Sequence, residues 1–208
     1  MSDVRQTVYV VEDDEAVRDS LELLLKSAQH SVKSYPTANA FLDEHSDAMA
    51  GCIVLDIRMP GMDGMELQKR LNEKNSLLPI IFVTGHGDVP MAVEAMKEGA
   101  VDFIQKPYHE EALLEKIAAA LATDREQRES LSQKQDIIRR INTLTPRETE
   151  IMDRMIAGQA NKVIAIELDI SQRTVEIHRS RVMHKMGTHS LAHLVRMVLS
   201  VKDLIDGK

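Results

Sequence analysis

A doubly wound α/β domain followed by a small all-α domain is the architecture that the 208-residue sequence predicts, and three observations carry it. Short β-branched and apolar runs alternate five times with stretches of helical periodicity. Two of those runs, Ile53-Val54-Leu55 and Ile80-Ile81-Phe82-Val83, are apolar on both faces, so they need helices on both sides of a five-stranded parallel sheet. Beyond Leu144 the strand pattern stops.

Thr7-Val-Tyr-Val-Val-Glu12 reads as a buried strand that runs out into acidic residues. From Glu15 to Ala28 the apolar residues Val17, Leu21, Leu24, Leu25 and Ala28 recur at three and four positions, with Arg18, Asp19, Glu22 and Lys26 between them, which predicts an amphipathic helix. The alternation repeats with strands at Ser31–Tyr35, Cys52–Asp56, Ile80–Thr84 and Asp102–Gln105, and helices near Thr37–His45, Met65–Lys74, Pro90–Glu98 and Glu110–Leu121. Residues 123–141 are polar, free of Gly and Pro and rich in helix formers, so they extend the preceding helix as a solvated linker with a thin seam of Leu131, Ile138 and Ile141. Four helices are predicted after it: Pro146–Ala157 ended by Gly158, Asn161–Leu168, Gln172–Met186 between Ser171 and Gly187, and Ser190–Lys202. Thr145, Pro146 and Glu148 have the spacing of a capping box with Pro at the first helical position. The expected domains are therefore 1–122, the linker 123–141, and 142–208.

Composition removes several function classes. The longest apolar run, Ile117–Ala122, is far short of the ~18 residues of a membrane span, and the N-terminus has no apolar stretch before a small-residue cleavage site. A cytoplasmic protein with no membrane partner is the expectation. The single cysteine, Cys52, sits among Ile53, Val54 and Leu55 and reads as a buried strand residue rather than a redox or zinc ligand. With no Trp and only three Tyr and three Phe, the chain lacks stacking platforms for single-stranded nucleic acid. Charge is divided unevenly: residues 1–137 hold 14 Lys and Arg against 25 Asp and Glu, and residues 138–208 hold 12 against 8. The acidic part is suited to a cation, and the basic part to phosphates.

In a doubly wound sheet, ligands bind outside the carboxyl ends of the strands. Those ends carry Glu12, Asp13 and Asp14, then Asp56, Thr84 and Lys106-Pro107. Carboxylates brought together there repel one another unless a cation neutralises them, and an all-oxygen site suits Mg2+ (or Mn2+). Thr84 adds a hydroxyl and Lys106 a positive charge, both suited to a phosphoryl oxygen.

Four segments make this pattern recognisable: Val11-Glu-Asp-Asp-Glu-Ala-Val-Arg18, Asp56-Ile-Arg-Met-Pro-Gly-Met-Asp-Gly64, Thr84-Gly-His-Gly-Asp88 and Lys106-Pro107. Together they resemble the flavodoxin-like receiver domain of two-component response regulators. The resemblance implies that Asp56 is the phospho-acceptor, that Glu12 and Asp13 are the metal-side acids, and that Arg58 lends its backbone carbonyl to the metal. It further implies that Thr84 and Phe103 are a switch pair and that Lys106 contacts the phosphoryl group. Glu12 departs from the Asp found in many receivers, and Asp14 falls one residue outside the metal site.

In the C-terminal part, Leu144-Thr-Pro-Arg-Glu148, Gly158, Asn161-Lys162, Ile164-Ala165, Leu168, Ile170-Ser171 and Thr174-Val-Glu-Ile-His178 resemble the LuxR-type helix-turn-helix. Asp169 stands where a turn glycine is common, and Asp tolerates the left-handed conformation. On this likeness Gln172–Met186 is a recognition helix for the major groove. Val175, Val182 and Met186 share its core stripe, Glu176, Ile177 and Ser180 are expected at base edges, and Lys162, Arg173, Arg179 and Arg181 at phosphates. His178 is expected to be packed and hydrogen-bonded.

Together with Ser190-Leu-Ala-His-Leu-Val-Arg-Met197, these segments are most similar to the FixJ branch of the NarL/FixJ regulators. The resemblance implies a non-enzymatic transcriptional activator with four partners: a cognate sensor histidine kinase, double-stranded promoter DNA, RNA polymerase and, once phosphorylated, a second copy of itself. The competing reading is a haloacid-type phosphatase or other Mg2+ hydrolase with Asp56 as nucleophile. Such an enzyme needs an acid or base two residues further on, where this chain has Arg58. An interaction-only adaptor is disfavoured because the acceptor, switch and lysine positions are all filled.

Overall fold

The computed structural model describes residues 6–85 and 89–206, so the expectations for residues 1–5, for His86-Gly-Asp88 and for residues 207–208 lie outside the described residues. The chain divides into two compact units, Met1–Arg128 and Glu129–Lys208.

In the first unit, β1 (Thr7–Val11), β2 (Ser31–Tyr35), β3 (Gly51–Leu55), β4 (Ile80–Thr84) and β5 (Asp102–Gln105) form a parallel sheet in the order β2-β1-β3-β4-β5. Alternate side chains point to opposite faces. Tyr9, Val11, Ile53, Leu55, Ile80 and Phe82 pack with Phe41, Leu67, Leu71 and Ala95 from α2 (Ala38–Glu44), α3 (Gly64–Glu73) and α4 (Val89–Lys97). Val8, Val10, Cys52, Val54, Ile81 and Val83 pack with Leu21 and Leu25 of α1 (Glu15–Ser27) and with Leu113, Ile117 and Ala120 of α5 (Glu110–Ile141). Cys52 is fully buried, and burial pushes its thiol up to about 12. The elements match the sequence expectations to within a residue or two, and α5 runs on through the linker to Ile141 as expected; Thr37, for instance, caps α2 instead of beginning it.

The solvated character expected of residues 123–141 fails at Asp124. Its side chain is fully buried on the stripe begun by Leu113, Ile117 and Ala120. It accepts from Gly51 N and Gln6 Nε2, both at 2.9 Å, and from Arg128 Nε at 2.6 Å. Arg128 in turn donates to the carbonyl of Met49. The continuing helical period carries a charged residue onto the apolar stripe, and these three donors allow it to be buried there. Asp124→Ala leaves the arginine and the Gly51 amide without their acceptor, so the first unit is expected to lose about 3–5 kcal/mol. All three tyrosines, Tyr9, Tyr35 and Tyr108, lie in this unit, so urea unfolding followed by tyrosine fluorescence measures the loss.

The second unit packs α6 (Pro146–Ile156), α7 (Asn161–Glu167), α8 (Gln172–Met186) and α9 (Leu191–Leu199) around Ile151, Met155, Ile164, Val175, Val182, Met186 and Leu194. The last helix expected from the sequence is two helices: α9 ends at Leu199 with Ser200 as its cap, and a short α10 (Lys202–Asp206) follows. Ser200 Oγ donates to Met197 O and the intervening Val201 is fully buried, so the chain turns where a single helix was expected. Asp169 adopts φ 51° and Gly187 φ 66°, so both turn positions take the left-handed conformation expected of them.

The capping box at α6 forms as its spacing predicts: Glu148 N donates to Thr145 Oγ1, and Thr145 N donates to Glu148 Oε2 at 2.9 Å. The sequence did not reveal a third partner, Lys185 of α8, whose Nζ lies 2.6 Å from the same oxygen of buried Glu148. The lysine hydrogen bond, followed by that of the Thr145 amide, holds the Glu148 carboxyl down at about 2. A carboxyl lowered on folding contributes stability that is complete above its unfolded value and is lost as pH falls towards the folded one. Glu148→Gln keeps the cap geometry but removes the charge. Its helical unit is expected to melt lower than wild type at pH 7, with the gap closing between pH 4.5 and pH 2, as read by circular dichroism.

Candidate functional site

β1 and β3 are neighbours in the sheet, but β1 leads to a helix on one face and β3 to a helix on the other, so a crevice opens beyond their carboxyl ends. Glu12 and Asp13 follow β1, and Asp56 follows β3. One carboxylate oxygen from each of the three lies within 4.8 Å of the others, with Glu12 and Asp56 buried and Asp13 exposed. Asp14 is not part of the cluster because its side chain caps α1, accepting from Val17 N.

Lys106, just past β5, donates from Nζ to Glu12 Oε2 at 2.7 Å and to Asp56 Oδ2 at 3.1 Å. The amide of Arg58 donates to the other Asp56 oxygen at 3.2 Å. Burial raises the Glu12 carboxyl above the usual range and the Asp56 charge adds to this, while the Lys106 hydrogen bond opposes it. Burial also works against the Lys106 charge, but the hydrogen bonds and charges of Glu12 and Asp56 outweigh it and raise the ammonium above its ordinary value. Among the described residues, the Lys106 ammonium is shared between two of the three clustered acids. The donor set of the cluster is all oxygen, which suits a hard divalent cation.

The backbone around these groups is closely held. A Cβ on Gly64, at the start of α3, would lie 2.4 Å from the Asp56 carbonyl oxygen, so only glycine lets the helix approach the acid this closely. Arg18, whose role the sequence did not indicate, donates from α1 to the carbonyls of Glu12 and Asp13 at 2.9 and 3.2 Å. Its one available signal was position, one helical turn past the acids. Thr84 is buried at the end of β4, where its carbonyl accepts from Lys106 N. Phe103 pairs with Phe82 across β4 and β5, and packs half-buried against the core on the α2–α4 side.

In the second unit, Val175, Val182 and Met186 are fully buried and fix the rotation of α8. Arg173, Glu176, Ile177, Ser180 and Arg181 are exposed on that helix, as is Lys162 on α7. Arg179 differs: it lies four residues after Val175 and three before Val182, at the margin of the core stripe, and is half-buried. His178 is half-buried as expected, but its Nδ1 has no hydrogen-bond partner, which corrects the expectation of a satisfied ring.

Residues 8–118 match the response regulator receiver domain family, and residues 142–198 match the bacterial regulatory proteins of the luxR family. The transcriptional regulatory protein FixJ of Bradyrhizobium diazoefficiens is 48% identical over 199 residues, covering 96% of this chain and 97% of the relative. The response regulator protein TodT of Pseudomonas putida is 41% identical, covering 99% of this chain and 91% of its own. Among solved structures, the response regulator StyR superposes with a TM-score of 0.86 at 43% identity, covering 93% of this chain and 98% of its own. Full-length FixJ from B. japonicum gives 0.57 at 47% identity, covering 95% and 98%. Among the described residues, no helix is long and apolar enough to cross a membrane. With a receiver domain and a luxR-type DNA-binding domain in one chain and near full-length similarity to FixJ, the protein belongs to the NarL/FixJ-type response regulators, transcriptional regulators of two-component systems and not enzymes.

Proposed function

We propose that this chain is a cytoplasmic activator that receives a phosphoryl group on Asp56 from a sensor histidine kinase, dimerises, and binds promoter DNA to recruit RNA polymerase. The observation that carries this reading is Lys106 bonded to both Asp56 and Glu12 within the acidic cluster. One Asp56 oxygen bonds to phosphorus as the bond from phosphorus to the kinase histidine nitrogen breaks, and Lys106 offsets the negative charge of the transferred group. Mg2+, or Mn2+, would be held by the carboxylates of Glu12, Asp13 and Asp56 and the carbonyl of Arg58; when bound it supplies positive charge to the phosphoryl oxygens. Arg18 keeps the loop carrying the first two acids in place. Thr84 then turns to the phosphoryl group, and Phe103 shifts into the space it leaves. The regulatory part spans 1–122, the helical linker 123–141, and the DNA-binding part 142–208. Lys162, Arg173 and Arg179 serve phosphates there, and Glu176, Ile177 and Ser180 base edges.

Treating the full chain with acetyl phosphate and Mg2+ at micromolar concentration is expected to double its mass in light scattering. An unchanged mass at full phosphorylation overturns the dimer.

A further inference from the structure

α3 carries two amide side chains one helical turn apart, and both reach the end of α4. Gln68 Nε2 donates to Ala95 O at 3.0 Å, and Asn72 Nδ2 donates to Glu98 O at 2.7 Å. Gln68 is only 1% exposed, and its Oε1 has no hydrogen-bond partner. Its neighbours in the buried stripe of α3 are Leu67 and Leu71. An apolar side chain of similar length fits such a position without burying an unpaired oxygen, so what Gln68 contributes is its donor.

α4 needs that donor because it is weakly packed. Among its residues whose exposure is described, only Ala95 is buried, while Val93 and Met96 are each 46% exposed. The helix end is closed by Ala100 N on Ala95 O and Gly99 N on Met96 O, with Gly99 at φ 94°. Ala95 O thus accepts both the closing amide and Gln68, and Glu98 O in the following turn accepts Asn72. The other end of α4 follows β4, which carries Thr84, and Met91 near that end packs against the same core as Phe103.

We propose that Gln68 and Asn72 are positioning residues for the phosphorylation response: they pin the C-terminal end of α4 to α3, so that rearrangement at Thr84 and Phe103 is taken up in the N-terminal half of α4. An unpinned α4 would slide or fray as a whole, and the change at the pocket would be dissipated. The inference rests on the phosphorylation-driven dimer proposed above.

The test uses the full chain as wild type, Gln68→Met and Asn72→Ala. Hydrogen exchange of α4 peptides, phosphoryl uptake from acetyl phosphate with Mg2+, and mass in solution are followed together. In wild type, amides 95–100 are expected to exchange slowly in both states, while amides 91–94 change on phosphorylation. Gln68→Met is expected to keep its unfolding temperature and its phosphoryl uptake. Its amides 95–100 should exchange about tenfold faster, and its phosphorylated form should dimerise about tenfold more weakly. Asn72→Ala is expected to act in the same direction and, being exposed, serves as the check that the fold is intact. Equal changes at 91–94 and 95–100 in wild type, or unaltered exchange and dimerisation in both variants, overturn the pin. Wild type that takes up phosphate without dimerising overturns the dimer reading instead, and amides 95–100 in the unphosphorylated variants still judge the pin.

Discussion

Asp56→Asn is expected to reduce phosphoryl uptake below detection while leaving the receiver unit folded. Asparagine has nearly the same shape as aspartate, and position 56 follows a strand whose five residues are all buried, so the backbone there has little reason to move. The chemistry changes completely. The amide has no anionic oxygen to bond to phosphorus, and Lys106 loses one of its two acidic partners but keeps the hydrogen bond to Glu12. Intact-protein mass after incubation with acetyl phosphate and Mg2+ measures the uptake, and tyrosine fluorescence during urea unfolding reports the fold from Tyr9, Tyr35 and Tyr108. Excess chelator added to wild type is expected to give the same loss. Uptake that persists in Asp56→Asn means another carboxylate is the acceptor, and uptake that persists under chelation means the acidic cluster works without a cation.

The residues of this pocket were legible in the sequence because each sits at a strand end, and strand ends in a parallel sheet are few and face one way. Runs such as Ile80–Thr84, buried at every position, mark their own limits, and the acid, hydroxyl or lysine beyond each is then placed by topology alone. Long-range side-chain partnerships were not legible. Spacing over three residues marks Glu148 as a helix cap, but Lys185, 37 residues away, depends on how α8 crosses α6. Gln68 and Asn72 look like ordinary polar positions of an amphipathic helix until α4 is seen above them. Asp124 is intermediate: the spacing from Leu113, Ile117 and Ala120 pointed inward, but the polar composition of residues 122–136 masked it. A hydrophobic stripe that meets a charged residue in phase is a signal for a buried ion pair. The break between α9 and α10 carries no glycine or proline, so helical periodicity ran through it.

Glu176→Ala and Lys162→Ala are expected to weaken DNA binding in different ways. The full burial of Val175, Val182 and Met186 sets the rotation of α8, and this turns Arg173, Glu176, Ile177 and Ser180 outward together. A carboxylate at the exposed face of a groove-reading helix gains nothing from phosphates and discriminates by accepting from a base, so removing it is expected to cost about 1–3 kcal/mol on the preferred site alone. Lys162 is exposed on α7, and in the proposed interface its ammonium adds counterion-release energy to any duplex; its loss is expected to weaken all sequences alike and to reduce the salt slope by about one. Arg179 is expected to fall between the two, since its half-buried stem also packs at the edge of the core, and Arg179→Ala then lowers stability along with affinity. The measurement is binding of phosphorylated full-length protein to a footprinted promoter site and to the same bases scrambled, across a salt series. Equal losses on both duplexes for Glu176→Ala, or a loss confined to the promoter site for Lys162→Ala, would mean that α8 meets DNA with a different face from the one its buried valines leave outward.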